Sequence, residues 1–423
     1  MIKKVFIVVA AALCTTIGAT AQKKDFSYKF YGQIRADLFY NSRSNSESVD
    51  GLFYMYPKDH DYDAAGKDLN AKADGSLYTM YTRLGVDLNG PKLGGKISTS
   101  AKVELDFRGG GTNYYMVRLR QAYFKLGFKN SSLLVGQTWH PFYGDVAPEV
   151  MNLNMGAPYQ PFSRAPQVAY RLDQHHWSLK ATALWQSQYL SAGPKSNAVG
   201  ETGSQKSQQY IKNGLVPELA VNADYRNNRL IAGAGLDLTS LVPRTQSVNS
   251  RGDVYKVSER ITSISAEAHV KYVGDNFTVA AKTVLGSNFT QASGVGGFGV
   301  THQNEIGEQS YAPVRVSSTW VNLVGFTKSR LRPAVFAGYL HNLGTNDQLL
   351  SPSLVYGTGV NSGLGQLATV SAELTYNLPH WKFGLEYMFT SARYGSLDNQ
   401  AKLYTNEHSV ANHRVVVAAL FQF

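Results

Sequence analysis

The chain ends in residues 415–423, VVVAALFQF, and this stretch decides the fold. Residues taken in steps of two back from the end are all apolar, and two are aromatic: Phe423, Phe421, Ala419, Val417 and Val415. The other face of the stretch carries Gln422 and Arg414. Because successive side chains of a β-strand point to opposite faces of its sheet, these residues predict a strand with one apolar face and one partly polar face.

A terminal strand that ends in phenylalanine resembles the closing strand of bacterial outer-membrane β-barrels, where it acts as the assembly signal. This resemblance makes Phe423 the candidate assembly signal. It also implies two partners, the lipid of the outer membrane and the barrel-assembly machinery. The expected location is therefore the bacterial outer membrane.

The same period-two alternation runs from residue 28 to the end of the chain. In the first predicted strand, Ile34 and Leu38 share the apolar face and Arg35 lies on the polar face. In the second, Met80 is expected to point outward and Arg83 inward. The predicted strands have roughly ten or more residues, a length that suits tilted strands crossing a membrane.

The connections between these strands alternate between tight turns and long loops. The first tight turn is predicted at 89–91, and the last long loop at 393–410. Outer-membrane barrels have short periplasmic turns and longer extracellular loops. The sequence therefore predicts an all-β protein, a transmembrane antiparallel up-and-down β-barrel of about 16 strands, closed so that no strand edge faces lipid.

The first 21 residues are typical of a cleaved secretory signal peptide, with Lys3 and Lys4 before an apolar stretch at 5–13 and small residues at 19–21. Residues 22–423 are expected to form a single transmembrane barrel domain. Cys14, the only cysteine, would carry the lipid in an alternative lipoprotein anchor. Leu13 directly before it and its early position argue against that alternative.

The net charge of +11 on the full chain invites a comparison with nucleic-acid-binding proteins. The charged residues, however, alternate with apolar residues instead of clustering in runs. This pattern favours a polar barrel lumen, and no nucleic-acid partner is expected.

The segment 140–164 is rich in proline and aromatic residues and follows the fifth predicted strand. Many porins fold the loop at this position inward to narrow the pore, and the segment is a candidate constriction loop. An ordinary extracellular loop is the alternative. The polar residues that would line the constriction are His140, Asp145, Glu149 and Arg164.

Two short stretches carry a more specific resemblance: residues 117–123, VRLRQAY, and residues 133–139, LLVGQTW. With the return strand at 162–170, FSRAPQVAY, they resemble the DcaP-like outer-membrane porin family. The match covers about residues 115–172, and the remainder agrees in architecture. Membership would imply a 16-stranded, trimeric barrel that passes small anionic solutes such as dicarboxylates.

Basic residues concentrate on the predicted inner faces of strands one to seven, and acidic residues on those of later strands. Arginine and lysine in a lumen favour anions, and a guanidinium group suits a carboxylate. The candidate pore-lining residues that contact solute are Arg35, Arg83, Arg118, Arg120, Arg171 and Lys180. The acidic wall would comprise Glu218, Asp224, Asp237, Glu267, Glu373 and Glu386.

Two local features qualify this assignment. Asp37, Glu104 and Asp106 share the strands of the arginines, so many of the arginines are expected to be ion-paired. Gln121 would face lipid if Arg118 and Arg120 both face inward, which predicts a β-bulge near this point.

These features together predict a porin for the passive diffusion of small hydrophilic, preferentially anionic solutes, with no cofactor, no metal and no enzymatic activity. A non-selective general porin and a structural or adhesive surface barrel without an open pore remain alternatives. A barrel hydrolase is disfavoured because His60 beside Asp59 or Asp61 is its only tempting group. The acidic run at 58–63 lacks EF-hand spacing and is expected to be a solvated loop.

Overall fold

The computed structural model describes residues 26–48, 50–108 and 116–423. Within these ranges sixteen antiparallel strands close into one barrel. The barrel strands are β1 (Ser27–Asn41), β4 with β5 (Asp74–Tyr78 and Arg83–Leu93), β6 (Ile97–Asp106), β7 (Arg118–Gly127), β8 (Ser131–Trp139), β9 (Arg164–Gln174), β10 (Trp177–Leu184), β13 (Glu218–Arg226), β14 (Leu230–Leu241), β17 (Ile261–Val273), β18 (Phe277–Ser287), β20 (Gln309–Gly325), β21 (Leu331–Gly344), β23 (Leu364–Leu378), β24 (Trp381–Leu397) and β25 (Leu403–Gln422). The predicted signal peptide, residues 1–21, lies outside the described residues.

The remaining elements belong to the long loops. They are the short strands β2 (Asn45–Ser48), β3 (Phe53–Pro57), β11 (Ala192–Pro194), β12 (Ser204–Lys206), β15 (Gln246–Val248), β16 (Val254–Lys256), β19 (Gly296–Gln303) and β22 (Val355–Thr358), one α-helix, α1 (Gln209–Gly214), and two 3-10 turns at Thr290–Ala292 and Val360–Ser362. No helix among the described residues is long and apolar enough to cross a membrane.

The last strand closes the barrel against the first. The β1–β25 register runs from Gln33 opposite Gln422 to Asn41 opposite Arg414. Phe423 continues this pairing, since its backbone N–H and C=O both hydrogen-bond to Gly32, at 3.1 and 3.0 Å. A side chain at position 32 would collide with the Phe423 ring, because a Cβ there would lie 2.5 Å from a ring carbon. Gly32 and Phe423 therefore fit together at the closing seam.

The alternation of apolar and polar residues separates the outer and inner faces, as the sequence predicts. Ile34 and Leu38 are 53% and 51% exposed on the outside, whereas Arg35 and Asp37 are buried inside the barrel. The closing strand behaves likewise, with Val417 exposed and Arg414 buried. Apolar side chains thus form the surface that lipid covers.

The predicted bulge in the fourth barrel strand is confirmed. Gln121 pairs with Glu104 and Leu119 pairs with Leu105, so Arg120 is the extra residue between them. The bulge resets the alternation. As a result, Gln121 follows Arg118 and Arg120 inward and donates a hydrogen bond to Glu104 Oε1 at 3.3 Å.

Three local predictions were wrong. The first tight turn lies at 94–96 and not at 89–91, because Gly94 and Gly95 adopt φ of 56° and 74°, the left-handed region that a two-residue hairpin turn requires. Met80 is buried, since the strand is interrupted between β4 and β5. The loop predicted at 393–410 shrinks to 398–402, because β24 and β25 go on pairing beyond Tyr394 and His408.

A hydrophobic core fills part of the barrel interior. Its members come from the β2–β3 hairpin, from the 140–163 segment and from inner faces of distant strands, such as Met55, Tyr159, Phe162, Trp320 and Phe336. Loop residues and inward-facing strand residues therefore together supply the apolar groups that pack inside the barrel. The polar inner faces nearest the first strands remain outside this core.

Candidate functional site: an arginine-rich cavity in the lumen

The segment 140–163 connects β8 to β9, which are neighbours, yet it reaches strands far around the barrel wall. Tyr159 Oη hydrogen-bonds to Thr369 Oγ1 on β23 at 2.8 Å, and Trp320 Nε1 on β20 donates to Gln160 Oε1 at 3.0 Å. Lys282 Nζ on β18 donates to the backbone carbonyl of Phe142 at 2.6 Å. Side chains of the inner wall therefore hold the segment along its length.

The middle of the segment is fixed between two walls of opposite charge. The Met151 N–H donates to Glu386 Oε2 on β24 at 2.8 Å. The Met151 carbonyl accepts from Arg35 Nη2 on β1 at 2.5 Å. Glu149 is held through its backbone, which hydrogen-bonds to the Asn322 side chain. Each contact uses a backbone group that would otherwise be unpaired in the interior.

Six arginines form a connected cluster on the inner wall of β1, β5, β7 and β9 and just beyond β6. Tyr81 is its centre, with the guanidinium carbons of Arg35, Arg83, Arg108 and Arg120 lying 5.3, 5.0, 5.4 and 5.9 Å from the ring centroid. Trp139 extends the cluster, since Arg120 and Arg164 lie over it at 5.7 and 4.7 Å. Arg118 joins through a carboxylate that it shares with Arg120.

Three carboxylates pair with this cluster. Arg118 binds Asp106 through two hydrogen bonds, of 3.0 and 2.7 Å, and Arg120 contacts both Glu104 and Asp106. Arg35 pairs with Asp37 at 2.7 Å. The expectation that many lumen arginines are ion-paired is therefore confirmed. The six guanidinium groups still exceed Asp37, Glu104 and Asp106 by three charges.

Two of the six arginines, Arg108 and Arg164, have no carboxylate partner among the described residues. Both are buried, at 1% and 0% exposure, and both stack on aromatic rings. Their Nε and Nη1 atoms have no hydrogen-bond partner among the described residues. Arg164 donates one bond, from Nη2 to Tyr189 Oη at 3.2 Å. Buried guanidinium donors are normally satisfied, so these atoms can receive an additional acceptor.

A cavity of about 520 Å³ adjoins the cluster. Arg108, Arg118 and Lys206 contribute its positive charges, and Glu47 of the β2–β3 hairpin contributes a negative one. Phe53, Met55 and Tyr189 are among the apolar and aromatic groups of its lining. The cavity therefore combines cationic donors with an apolar surface, as small-molecule sites commonly do.

The electrostatic effect of the cluster appears in two groups outside the strands. Burial lowers the pKa of Arg108 to about 10, and the neighbouring Arg118 acts in the same direction. Burial alone would raise the pKa of Tyr189, but Arg164, Arg118 and Arg108 lower it overall. The lowered pKa of Tyr189 indicates an excess of positive charge around the cavity, which an anion would relieve.

The predicted pore-lining residues separate into two groups. Arg35, Arg83, Arg118 and Arg120 belong to the cluster. Arg171 pairs instead with Asp173 near the 175–176 turn, and Lys180 lies beside Arg171 in the register of β9 and β10. The latter two residues are not part of the arginine cluster.

The predicted constriction residues have different surroundings. His140 contacts Glu218 on β13 at 2.8 Å, and Asp145 pairs with Arg226 on β13 at 2.6 Å. Arg164 is the first residue of β9 and not part of the connecting segment. It belongs to the arginine cluster, so its environment is set by Trp139 and Tyr189.

The acidic side of the lumen lies on β13, β14, β17, β23 and β24. Asp224 pairs with Arg226, and Glu267 with His269. Glu373 and Glu386 are directly opposite each other on neighbouring strands. The described residues thus place most bases and most acids on different parts of the wall.

Sequence reasoning missed Arg108, Lys206 and the two tyrosines. A signal for Arg108 was present, because it follows Glu104 and Asp106 in steps of two and so continues the inward face. Tyr81 and Tyr189 carry no such signal, since they enter the lumen where a strand is interrupted and where a loop returns.

Comparison with known proteins links part of the chain to a family. Residues 14–206 match the sequence profile of the DcaP outer membrane protein family. This part of the chain is similar to DcaP outer-membrane proteins. This confirms the resemblance seen in residues 115–172 and places the barrel in the bacterial outer membrane. No curated protein matches the chain.

Solved structures share the fold of this barrel. The outer membrane channel DcaP of Acinetobacter baumannii has 17% identity and a TM-score of 0.65, covering 96% of this chain and 99% of that one. The trimer form of OmpT from Vibrio cholerae has 11% identity and a TM-score of 0.55, covering 95% and 100%. The anion-selective porin from Comamonas acidovorans has 12% identity and a TM-score of 0.51, covering 94% and 100%. These neighbours are channels, porins and outer-membrane proteins and not enzymes.

Proposed function

We propose that this protein is an outer-membrane porin for the passive diffusion of small hydrophilic, preferentially anionic solutes of dicarboxylate-like chemistry. One observation carries the proposal. The cluster has three more guanidinium groups than carboxylates, and Arg108 and Arg164 keep buried N–H groups for which no acceptor occurs among the described residues. An anion that enters the adjoining cavity supplies that acceptor.

The chemistry of arginine supports carboxylates as the preferred anions. A guanidinium group presents paired N–H donors in a plane, which match the two oxygens of a carboxylate. Arg118 already binds Asp106 in this way. A solute with two carboxylates can engage Arg108 or Arg118 with one and Lys206 with the other, since all three line one cavity.

The segment 140–163 acts in this proposal as the constriction. Its contacts with β1, β18, β20, β23 and β24 support a position across the lumen. Asp145, Glu149 and His140 anchor it, and the arginine cluster faces the passage that remains. The solute then meets mainly positive charge at the narrowest point.

The proposal includes a homotrimer in the membrane. The trimer form of OmpT shares the fold and supports this assembly. Outward apolar residues such as Phe30, Ile34 and Leu38 suit contact with lipid and with another subunit equally well. Phe423, seated on Gly32 at the seam, remains the proposed signal for the barrel-assembly machinery.

A planar lipid bilayer experiment tests the proposal. Purified protein should give stable conductance steps, and millimolar succinate on one side should interrupt the chloride current more than an equal concentration of neutral glycerol. Arg108→Ala with Arg164→Ala should abolish the interruption, whereas Arg171→Ala, outside the cluster, should retain it. Equal responses to succinate and glycerol would indicate a non-selective general porin.

A barrel without an open pore is the second candidate function, because loop residues form a packed core inside the barrel. Conductance separates the two candidates directly. Absence of any conductance step from correctly folded protein would favour this structural or adhesive function.

A further inference from the structure

Two buried glutamates lie side by side on the acidic side of the lumen. Glu373 on β23 is directly opposite Glu386 on β24, and residues paired in this way have Cβ atoms about 4.5–5.5 Å apart. The two glutamates are 7% and 0% exposed, whereas the chain neighbours Leu374 and Leu385 are exposed on the outside. Both carboxyl groups therefore point into the barrel as close neighbours.

The flanking strands bring no charge against this pair. Ala334 lies opposite Glu373 on β21, and Val416 lies opposite Glu386 on β25. The charged groups that act on the pair from further away are Lys382 on β24, Arg35 on β1, Arg414 on β25 and Glu149 of the 140–163 segment.

None of these cations forms an ion pair with either glutamate in the described part of the chain. Arg35 pairs with Asp37 at 2.7 Å and donates to the Met151 carbonyl. Arg414 donates to Asn41 Oδ1 at 3.0 Å. Buried carboxylates that lack a paired cation are strongly disfavoured, and two of them side by side also repel each other.

Each carboxyl group has one oxygen without a partner. Glu373 Oε2 and Glu386 Oε1 are buried and accept no hydrogen bond from any described residue. The other oxygen of Glu386, Oε2, accepts from the Met151 N–H at 2.8 Å, and such a bond favours a charged carboxylate. One proton between the two free oxygens would give both of them a partner.

We propose that Glu373 and Glu386 share one proton at neutral pH, with Glu373 as the neutral acid that donates from Oε2 to Glu386 Oε1. Two carboxyl groups that cannot both ionise in one buried place divide their protons in this way. The singly charged pair holds the Met151 N–H and so positions the middle of the 140–163 segment. The inference does not depend on the porin proposal.

The shared proton makes this anchor of the segment dependent on pH. At neutral pH and below, the proton removes the repulsion between the two carboxyl groups. When the pH is raised until the proton is lost, two adjacent buried charges repel each other and draw in water, so the contact with Met151 loosens. The stabilisation is therefore present at low pH and lost as the pH rises.

Infrared spectroscopy of the protein in lipid vesicles tests the shared proton, because a carboxylic acid absorbs apart from carboxylates and amides. At pH 7, Glu373→Gln should remove the signal of one carboxylic acid, and so should Glu386→Gln, whose amide can donate to Glu373. Glu267→Gln is the matched control, since Glu267 is a buried glutamate paired with His269, and it should leave the signal unchanged. An undiminished signal in either glutamate variant of the pair would overturn the proposal.

Amide hydrogen exchange tests the hold on Met151. Glu373→Gln keeps a donor to Glu386 at every pH, so at pH 9 the Met151 amide should exchange several-fold more slowly in this variant than in the unmodified protein. At pH 6 the two proteins should exchange alike. Equal exchange at pH 9 would overturn the role of the shared proton in positioning the segment.

Discussion

The two sides of the lumen use their charges differently. On the acidic side, carboxylates are engaged by the 140–163 segment: Glu386 accepts from Met151, and Glu218 accepts from His140. On the basic side, Arg108 and Arg164 keep buried donors without partners among the described residues, and Arg108 lines a cavity. The segment engages these acids, and although it also contacts Arg35, the donors of Arg108 and Arg164 stay unpartnered among the described residues.

In the proposed function, ion pairing and solute binding coexist in one cluster. Asp106 and Glu104 hold Arg118 and Arg120 in place. Those pairs fix the wall against which Arg108 lies. Paired arginines thus position the cluster, and the proposed function assigns the unpaired donors to the solute.

The largest expected effect follows from removing the shared carboxylate. Asp106→Asn leaves Arg118 and Arg120 short of a buried counter-charge, and breaking a buried pair in this way typically costs about 3–5 kcal/mol of unfolding free energy. Urea unfolding in detergent or lipid vesicles measures the loss. Asp173→Asn, which breaks a half-exposed pair, should cost less than about 1 kcal/mol. Equal losses would contradict the positioning role of Asp106.

The next effect concerns the donors of the cluster that have no partner among the described residues. Arg164→Ala should weaken succinate block of the current by about tenfold or more, since a hydrogen bond to a charged group contributes about 1.5–3 kcal/mol. Arg164→Lys keeps the positive charge but loses the planar guanidinium group. Succinate should therefore block this variant less strongly than the unmodified protein and more strongly than Arg164→Ala. If succinate blocks the current through Arg164→Ala as strongly as through the unmodified protein, Arg164 has only a structural role.

A smaller effect is expected at the centre of the basic side. Tyr81→Leu removes the ring that four arginines contact, and cation–π contacts contribute roughly 0.5–2 kcal/mol. The variant should fold, unfold at lower urea, and show a broader distribution of single-channel conductance. Tyr81→Phe keeps the ring and should resemble the unmodified protein, apart from the lost bond to Arg83. A narrow conductance distribution for Tyr81→Leu would argue that the Tyr81 ring does not hold the arginines in place.

The smallest effect should come from the acidic side. Asp145 is half exposed and shares Arg226 with Asp224, so Asp145→Asn should change stability by less than about 1 kcal/mol. It should also leave anion preference within twofold of the unmodified protein, because the arginine cluster is untouched. A reversal of ion preference in this variant would mean that the 140–163 segment does not shield the acidic side from passing ions.

Much of the fold was predictable because each barrel strand repeats one two-residue rule. The faces of β1 and β25 and the bulge beside Gln121 all follow from alternation alone. Errors arose where glycines allowed a turn, as at Gly94 and Gly95, and where pairing extended beyond the barrel, as at Tyr394. Local patterns do not contain these long-range choices.

The candidate site was predictable only in part. Arg118 and Arg120 lie in a recognisable stretch, and their pairing with Asp106 follows from neighbouring strands. Tyr189 and the partners of His140 could not be predicted, because their contacts join loops and strands far apart in the chain.

The reversal potential under a KCl gradient, measured at neutral pH and 0.1 M mean concentration, tests the central claim most directly. The excess of arginines over carboxylates in the cluster predicts a preference for chloride, reduced in the Arg108→Ala, Arg164→Ala double variant and unchanged in Arg171→Ala. The preference should also diminish near 1 M salt, where the screening length falls from about 10 Å to about 3 Å. A preference for potassium in the unmodified protein would contradict the account.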